Sequence, residues 1–258
     1  MGDLIYRPLM EDMTWSYSRI ECFHDCPYRF FLKYIKECEE KPQFYSSYGS
    51  FMHKLIEKVS RDETFKEKLT TKFLFDFTSE VKGQRPAEST VLKYIECGCK
   101  YLSSFSPFPF NMIDVEKKIE FQINGVNFVG ILDYIGERDG ELCIVDNKSR
   151  DLKPRSKRKQ PTAKDKELDA MLRQLYVYSA AVKQEYGKFP KYLCFNCFKS
   201  GVFIEESFDM AAYESTIEWL MKSIEEIKDA DDFCPSMDYF GCTYICGVHD
   251  DCCYYEMR

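Results

Sequence analysis

Asp133, Asp146 and Lys148 fall in one stretch, GILDYIGERDGELCIVDNKS (residues 130–149), that is otherwise mostly apolar. In a strand, residues two apart share a face, so Asp146 and Lys148 point the same way and Asn147 faces the other side. Asp139-Gly140 is a strong hairpin signal, and closing it there brings Asp133 within cross-strand reach. Two carboxylates meeting at a sheet end repel, and each resists ionisation unless something positive joins them. A divalent cation removes that penalty. Oxygen ligands favour Mg²⁺ or Mn²⁺ over zinc. Such a metal lowers the pKa of bound water and stabilises charge on a phosphate in the transition state. Lys148 can orient the attacking water or neutralise the developing charge. Taken alone, Asp-x-Lys is more often a surface ion pair.

The surrounding elements must place these groups. The pattern predicts helices over residues 16–35, broken near Pro27, and over 48–59, 62–80 and 87–104. The period then changes. Strands are expected over 113–123, 126–135 and 141–147, a loop over 151–166, and a helix over 166–186. A second hairpin, 192–198 with 202–208, turns at Lys199-Ser200-Gly201, and a last helix covers 209–228. This reads as one α/β domain over residues 1–258: a helical part (16–110), a core of sheet and helix (111–208), and a helix with a cysteine-rich tail (209–258).

Composition narrows the class. The chain has 258 residues, 45% hydrophobic and 16% aromatic, enough to bury a sizeable core. No apolar run reaches the roughly 20 residues of a membrane span. The N-terminus shows no secretory pattern, so the expected location is cytoplasmic, in reducing conditions. The net charge of −7 argues against a wholly basic nucleic-acid coat. A local basic segment exists all the same: residues 150–166 carry eight Lys or Arg and two Asp. Arg150, Lys153, Arg155, Lys157, Arg158 and Lys159 directly follow the Lys148 strand. Such a run is often only solvated, but at the mouth of an acidic site it is what a polyanion needs to approach.

Thirteen cysteines, an odd number in a reducing compartment, argue against a disulfide framework. Cys143, Cys194 and Cys197 sit in strand patterns and read as buried thiols. Cys242, Cys246 and Cys252 are close together, and Cys26 lies far upstream. Three near thiols and a distant fourth suit a single tetrahedral or cubane centre.

Asp133 followed by Asp146-Asn147-Lys148 resembles the bipartite motif of the PD-(D/E)XK nucleases. Four further stretches are similar to the RecB-like branch, which includes RecB and AddB nuclease domains and CRISPR-associated adaptation nucleases. They are SYSRIECFHDCPYRFFLKY (16–34), Gly49-x3-His53-x3-Glu57, Gln174-x3-Tyr178, and the tail cysteines with Cys26. The set spans residues 16–252 in the family's order. The resemblance implies a restriction-endonuclease-like core: a central mixed sheet flanked by helices, with the tail closing on the N-terminal helix. It implies a metal held by His53, Asp133, Asp146 and the Asn147 carbonyl, with Lys148, Gln174 and Tyr178 in the site. Without it, a histidine beside Met52, Leu55 and Ile56 is more often a core residue, and Gln174 and Tyr178 are an ordinary helix surface. Glu57 reads as structural, and Glu116 as a candidate extra carboxylate. Relatives with this cysteine layout carry a [4Fe-4S] cluster. Here three residues separate the first two tail cysteines where two is usual, so Cys253 and Cys234 compete for one position and Cys22 with Cys26. Zinc is the alternative metal. The implied activity is metal-dependent cleavage of single-stranded or end-containing DNA, as an exonuclease. It would serve CRISPR adaptation, recombination and repair, or viral DNA processing. Helicase motifs are absent, so unwinding would need a partner. A catalytically silent DNA-binding or assembly subunit is the competing reading, and a zinc-only structural protein a weaker one.

Overall fold

A computed structural model describes residues 6–257. Helix α1 (Arg7–Glu11) precedes α2 (Tyr17–Asp25), which Ser16 caps by accepting the Arg19 N–H at 3.2 Å. The helix expected over 16–35 does break at Pro27, whose ring cannot continue a helical ladder. Cys26 is extended there (φ −160°, ψ 101°), and its sulfur accepts the Arg29 N–H at 3.4 Å. This starts α3 (Pro27–Phe30), which runs into a π-turn at Phe31–Ile35. Helix α4 (Phe44–Arg61) starts earlier than expected because Phe44 and Tyr48, both 0% exposed, anchor its first turns in a core. A 3₁₀ segment, Glu63–Lys68, leads into α5 (Leu69–Glu80), and α6 (Glu88–Ser103) follows. These three helices pack around Phe51, Met52, Leu55, Phe73 and Leu102.

Strands β1 (Asn111–Ile123), β2 (Val126–Arg138) and β3 (Glu141–Lys148) form an antiparallel meander. Its turns are Asn124-Gly125 (φ 51° and 81°) and Asp139-Gly140 (φ 54° and 75°). Two successive left-handed residues match the twist of a two-residue hairpin. β4 (Tyr192–Cys197) runs parallel to β3, and β5 (Val202–Ser207) antiparallel to β4, so the sheet is mixed in the order β1-β2-β3-β4-β5. The parallel step needs a crossover, which is α7 (Ala163–Tyr186). It begins three residues before the expected 166, because Thr162 and Asp165 form a capping box.

Leu168, Leu172, Leu175 and Val182 share one buried side of α7, which packs in the main core with the sheet. At roughly 1.5–3 kcal/mol for each buried aliphatic side chain, this packing outweighs any local propensity. Helix α8 (Met210–Lys228) packs on α7 and α2. The tail carries α9 (Tyr239–Tyr244) and returns to the N-terminal helices, where Tyr28 and Tyr254 meet edge to face at 4.9 Å. Helices flank a central mixed sheet, as expected.

Candidate active site

The β2–β3 ladder pairs Arg138 with Glu141 at one end and Tyr134 with Val145 at the other, and there it stops. The next residues in register are Asp133 and Asp146. In place of a main-chain partner, the Asn147 N–H donates to Asp133 Oδ2 at 2.7 Å. β3 continues alone beside β4, and the gap so opened is the site.

Around it stand three groups from distant segments. His53, on α4, donates from Nε2 to the Asn147 carbonyl at 3.0 Å. Its Nδ1 faces Asp133 Oδ2 at 3.4 Å and Glu116 Oε1 at 3.6 Å. One ligand atom from each of His53, Glu116 and Asp133 lies within 4.8 Å of the others. Burial alone would lower His53, but the hydrogen bond and charge of Asp133, then Glu116 and Asp146, push it up to about 10. The imidazolium is therefore the cation that these oxygens attract when no metal is bound. Beside them, Asp146 is 5% exposed, and its buried Oδ2 has no aligned hydrogen-bond donor, although Lys148 Nζ stands 2.8 Å away. Burial and the Asp133 charge raise Asp146, against Lys148 and His53. A buried carboxylate whose one close cation is the Lys148 ammonium, next to a His/Glu/Asp trio, fits a divalent cation.

A cation that takes His53 as a ligand must displace its proton. In the metal-free protein, the charged imidazolium stabilises the fold below its ordinary value of 6.5, and that contribution is lost as pH rises through about 10. Affinity for Mn²⁺ is therefore expected to rise with pH across this window, with protons released on binding. Calorimetric titration in two buffers of different ionisation enthalpy measures this, and pH-independent binding would contradict it.

Lys148 points the same way as Asp146, as the strand period requires. Burial opposes its charge, but Asp146 and then Asp133 hold its pKa above the ordinary value. Nζ also donates to Gln174 Oε1 at 2.6 Å, and Gln174 Nε2 reaches the Tyr178 hydroxyl at 3.4 Å. Gly130 makes room for that tyrosine, since a Cβ there would lie 2.6 Å from Tyr178 Cε1. Asn147 turns its side chain to the opposite face, where its Oδ1 accepts from Asn196 Nδ2 at 2.6 Å. Asn196 also donates to Tyr101 at 2.7 Å, which fixes the peptide whose carbonyl enters the site.

Glu116, the candidate extra carboxylate, is drawn into the trio by a left-handed backbone (φ 51°) within β1. A non-glycine residue there stores on the order of 1–3 kcal/mol of strain. Glu57 stands away from the trio and accepts from Arg61 at 2.9 Å.

Among the basic residues, Arg155 is engaged by Asp169 and Glu206, both at 2.8 Å. Arg150 Nη1 reaches Met171 Sδ at 3.7 Å. Lys153, Lys157, Arg158 and Lys159 are exposed, and no ion pair within the described residues holds them. Loop backbone and side chains are gathered by Asp165, which accepts from Ser156 and Thr162.

Cys26, Cys242, Cys246 and Cys252 line one cavity of about 320 Å³, together with Arg29 and Arg150. Cys26 Sγ accepts the Ser236 N–H at 3.3 Å across the N-terminal helix and tail. The competing thiols are elsewhere: Cys22 accepts from Arg29 Nε at 3.2 Å, Cys253 meets the Tyr28 hydroxyl at 3.3 Å, and Cys234 turns to Asp232 at 3.6 Å. Cys143, Cys194 and Cys197 are 0% exposed in the sheet, and burial raises all three.

No helix among the described residues is long and apolar enough to cross a membrane. Comparison with curated proteins finds no match. A crystal structure from Eubacterium rectale, described as a “Putative exonuclease”, superposes with a TM-score of 0.54 at 13% identity, covering 94% of this chain and 92% of that one. At that identity the likeness speaks for the fold, which is restriction-endonuclease-like. The sequence model of the PD-(D/E)XK nuclease superfamily matches residues 14–253. Enzymes of this superfamily use divalent metals, and the match implies a DNA substrate. A match from before the first capped helix to the last tail cysteines, over a chain whose splayed strands gather two aspartates, a lysine and a histidine, shows that this chain belongs to the PD-(D/E)XK nuclease superfamily.

Proposed function

We propose that the chain is a RecB-like, Mg²⁺- or Mn²⁺-dependent deoxyribonuclease that acts as an exonuclease on single-stranded or end-containing DNA. The observation that carries this reading is the convergence of His53, Asp133, Asp146, the Asn147 carbonyl and Lys148 where the β2–β3 ladder ends. His53, Asp133, Asp146 and the Asn147 carbonyl would hold the metal, with Glu116 as a further ligand. When bound, that metal supplies Lewis-acid stabilisation and makes water more acidic. Lys148 orients the attacking water and offsets charge building on the phosphate. Gln174 holds the ammonium in place, and Tyr178 supports Gln174 through its hydroxyl.

The test compares linear with covalently closed single-stranded DNA, in Mg²⁺, Mn²⁺ and EDTA. Metal-dependent loss of the linear strand alone is expected. Equal cleavage of the closed circle would overturn the exonuclease reading, and inertness toward all substrates would overturn the nuclease reading.

The free cations of the loop would carry the DNA backbone toward the site. Changing Lys157, Arg158 and Lys159 together to Ser is expected to weaken binding and reduce the salt slope by about 2, for three phosphates at ~0.7 counterions each. Arg155→Ser, which breaks an internal pair, should leave that slope alone. Binding to fluorescent oligonucleotides across a salt series decides it; an unchanged slope in the triple variant would make the loop plain solvated surface.

The cysteine cavity, lined by all four thiols, would hold a [4Fe-4S] centre like that of the RecB-like proteins the sequence resembles, with zinc as the alternative metal. A cellular role beside CRISPR adaptation proteins, or with a helicase in recombination, repair or viral DNA processing, follows from the RecB-like reading. So does a reducing, cytoplasmic setting.

A further inference from the structure

The geometry points to Arg61, braced by Glu57, as the positioning residue that fixes Glu116 at the metal site; this rests on the metal site proposed above. His53, Glu57 and Arg61 are each four apart on α4 and so share one face. The histidine reaches the site, and the two residues beyond it lie along β1. Arg61 Nε donates to Glu57 Oε1 at 2.9 Å, and Arg61 Nη2 donates to the Val115 carbonyl at 2.6 Å. β1 is an edge strand, so one row of its main-chain groups has no neighbouring strand. At Val115 side chains take that place: Arg61 holds its carbonyl, and Asp114 Oδ1 accepts its N–H at 2.9 Å.

On the other side of Glu116, Lys117 Nζ donates to Glu185 at 2.7 Å and to the Tyr186 hydroxyl at 3.1 Å. Glu116 is thus pinned on both sides, and between the pins its φ is 51°. A left-handed non-glycine residue persists only where its surroundings over-determine it. Relaxing to an ordinary strand φ would re-aim the carboxylate that now lies 3.6 Å from His53 Nδ1. The brace fills no core, since the Arg61 side chain is 51% exposed and that of Glu57 31%. An exposed pair of this kind contributes little to stability by itself. Its geometric consequence is at Glu116.

The test is Mn²⁺ binding to the metal-free full chain, followed by calorimetry and by the electron paramagnetic resonance of bound Mn²⁺. Arg61→Ala is expected to weaken binding roughly tenfold, the low end for residues that orient a ligand, and Glu116→Gln, which removes the charge of a proposed ligand, by at least as much. The double variant should bind no worse than Glu116→Gln alone, because Arg61 acts through Glu116. Glu57→Gln should move binding in the same direction, by less, and carries the same cycle should Arg61→Ala not fold. Binding at the parent level in Arg61→Ala overturns the inference. So does an equal loss with and without Glu116, which would mean Arg61 acts elsewhere. Asp133→Asn separates the two readings. If it too leaves Mn²⁺ binding intact, the metal site itself is wrong; if it abolishes binding while Arg61→Ala does not, only the positioning role falls.

Discussion

Lys148→Ala protein is expected to keep its fold in Mg²⁺ and to cleave DNA about a hundred- to thousandfold more slowly than the parent, the range seen when one preorganised electrostatic group is removed. The ammonium is held from two sides, 2.8 Å from Asp146 Oδ2 and 2.6 Å from Gln174 Oε1, so it is already aimed before substrate arrives. Preorganisation is what makes such a charge effective, since no solvent must rearrange during the reaction. The same substitution has a second consequence. It leaves Asp146 buried beside Asp133 without its cation, and breaking a buried pair by removing one partner destabilises by about 3–5 kcal/mol. A divalent cation replaces the missing charge. Thermal melting in EDTA should therefore fall well below the parent, and Mg²⁺ should raise it by more than it raises the parent. Asp146→Ala is expected to slow cleavage at least as much, without that recovery, because it removes a proposed ligand as well as the partner of Lys148. Either variant degrading DNA at the parent rate would sink the site assignment.

Part of this site was legible because it follows from local geometry. Period-two alternation alone puts Asp146 and Lys148 on one face, and Asp139-Gly140 alone closes the hairpin that returns Asp133. The helical spacing of Gln174 and Tyr178 likewise gave their common face. What escaped depends on contacts between residues distant in the chain. Nothing local marks Tyr134–Val145 as the last rung of the ladder, and yet the gap beyond it is the site. The left-handed turn at Glu116 is fixed by Arg61, from 54 residues before Val115. Arg155 looked like one more basic loop residue, but Glu206, 51 residues on, engages it. Helix starts were misplaced for a related reason: Phe44 is held by a core and Thr162 by a cap, and neither shows as periodicity. The family resemblance, rather than the spacing of the cysteines, is what suggested iron.

Cys26→Ser is expected to lose as much iron as Cys246→Ser, although the two positions lie at opposite ends of the chain. The structure sharpens the reason. Both sulfurs line one cavity with Cys242 and Cys252, whereas Cys22, Cys234 and Cys253 face other partners. The N-terminal helices and the loop after them also touch the tail directly, through the Ser236 N–H on Cys26, the Tyr28–Tyr254 ring pair, and the Lys41 N–H on the Gly247 carbonyl at 2.8 Å. A centre bound there would close a loop of more than 200 residues, worth roughly 5 kcal/mol if it acts as a simple cross-link. Losing any one thiolate removes that closure, so both variants should melt lower than the parent by a similar amount. Cys253→Ser and Cys234→Ser should keep both the iron and the melting temperature. Serine is a poor ligand for an iron–sulfur centre, so partial rescue is not expected. Anaerobic purification, with iron and sulfide counted per chain, measures this. A fully loaded Cys26→Ser protein would show that the tail binds its centre alone. Stoichiometric zinc in a colourless parent would replace the cluster with a single metal ion.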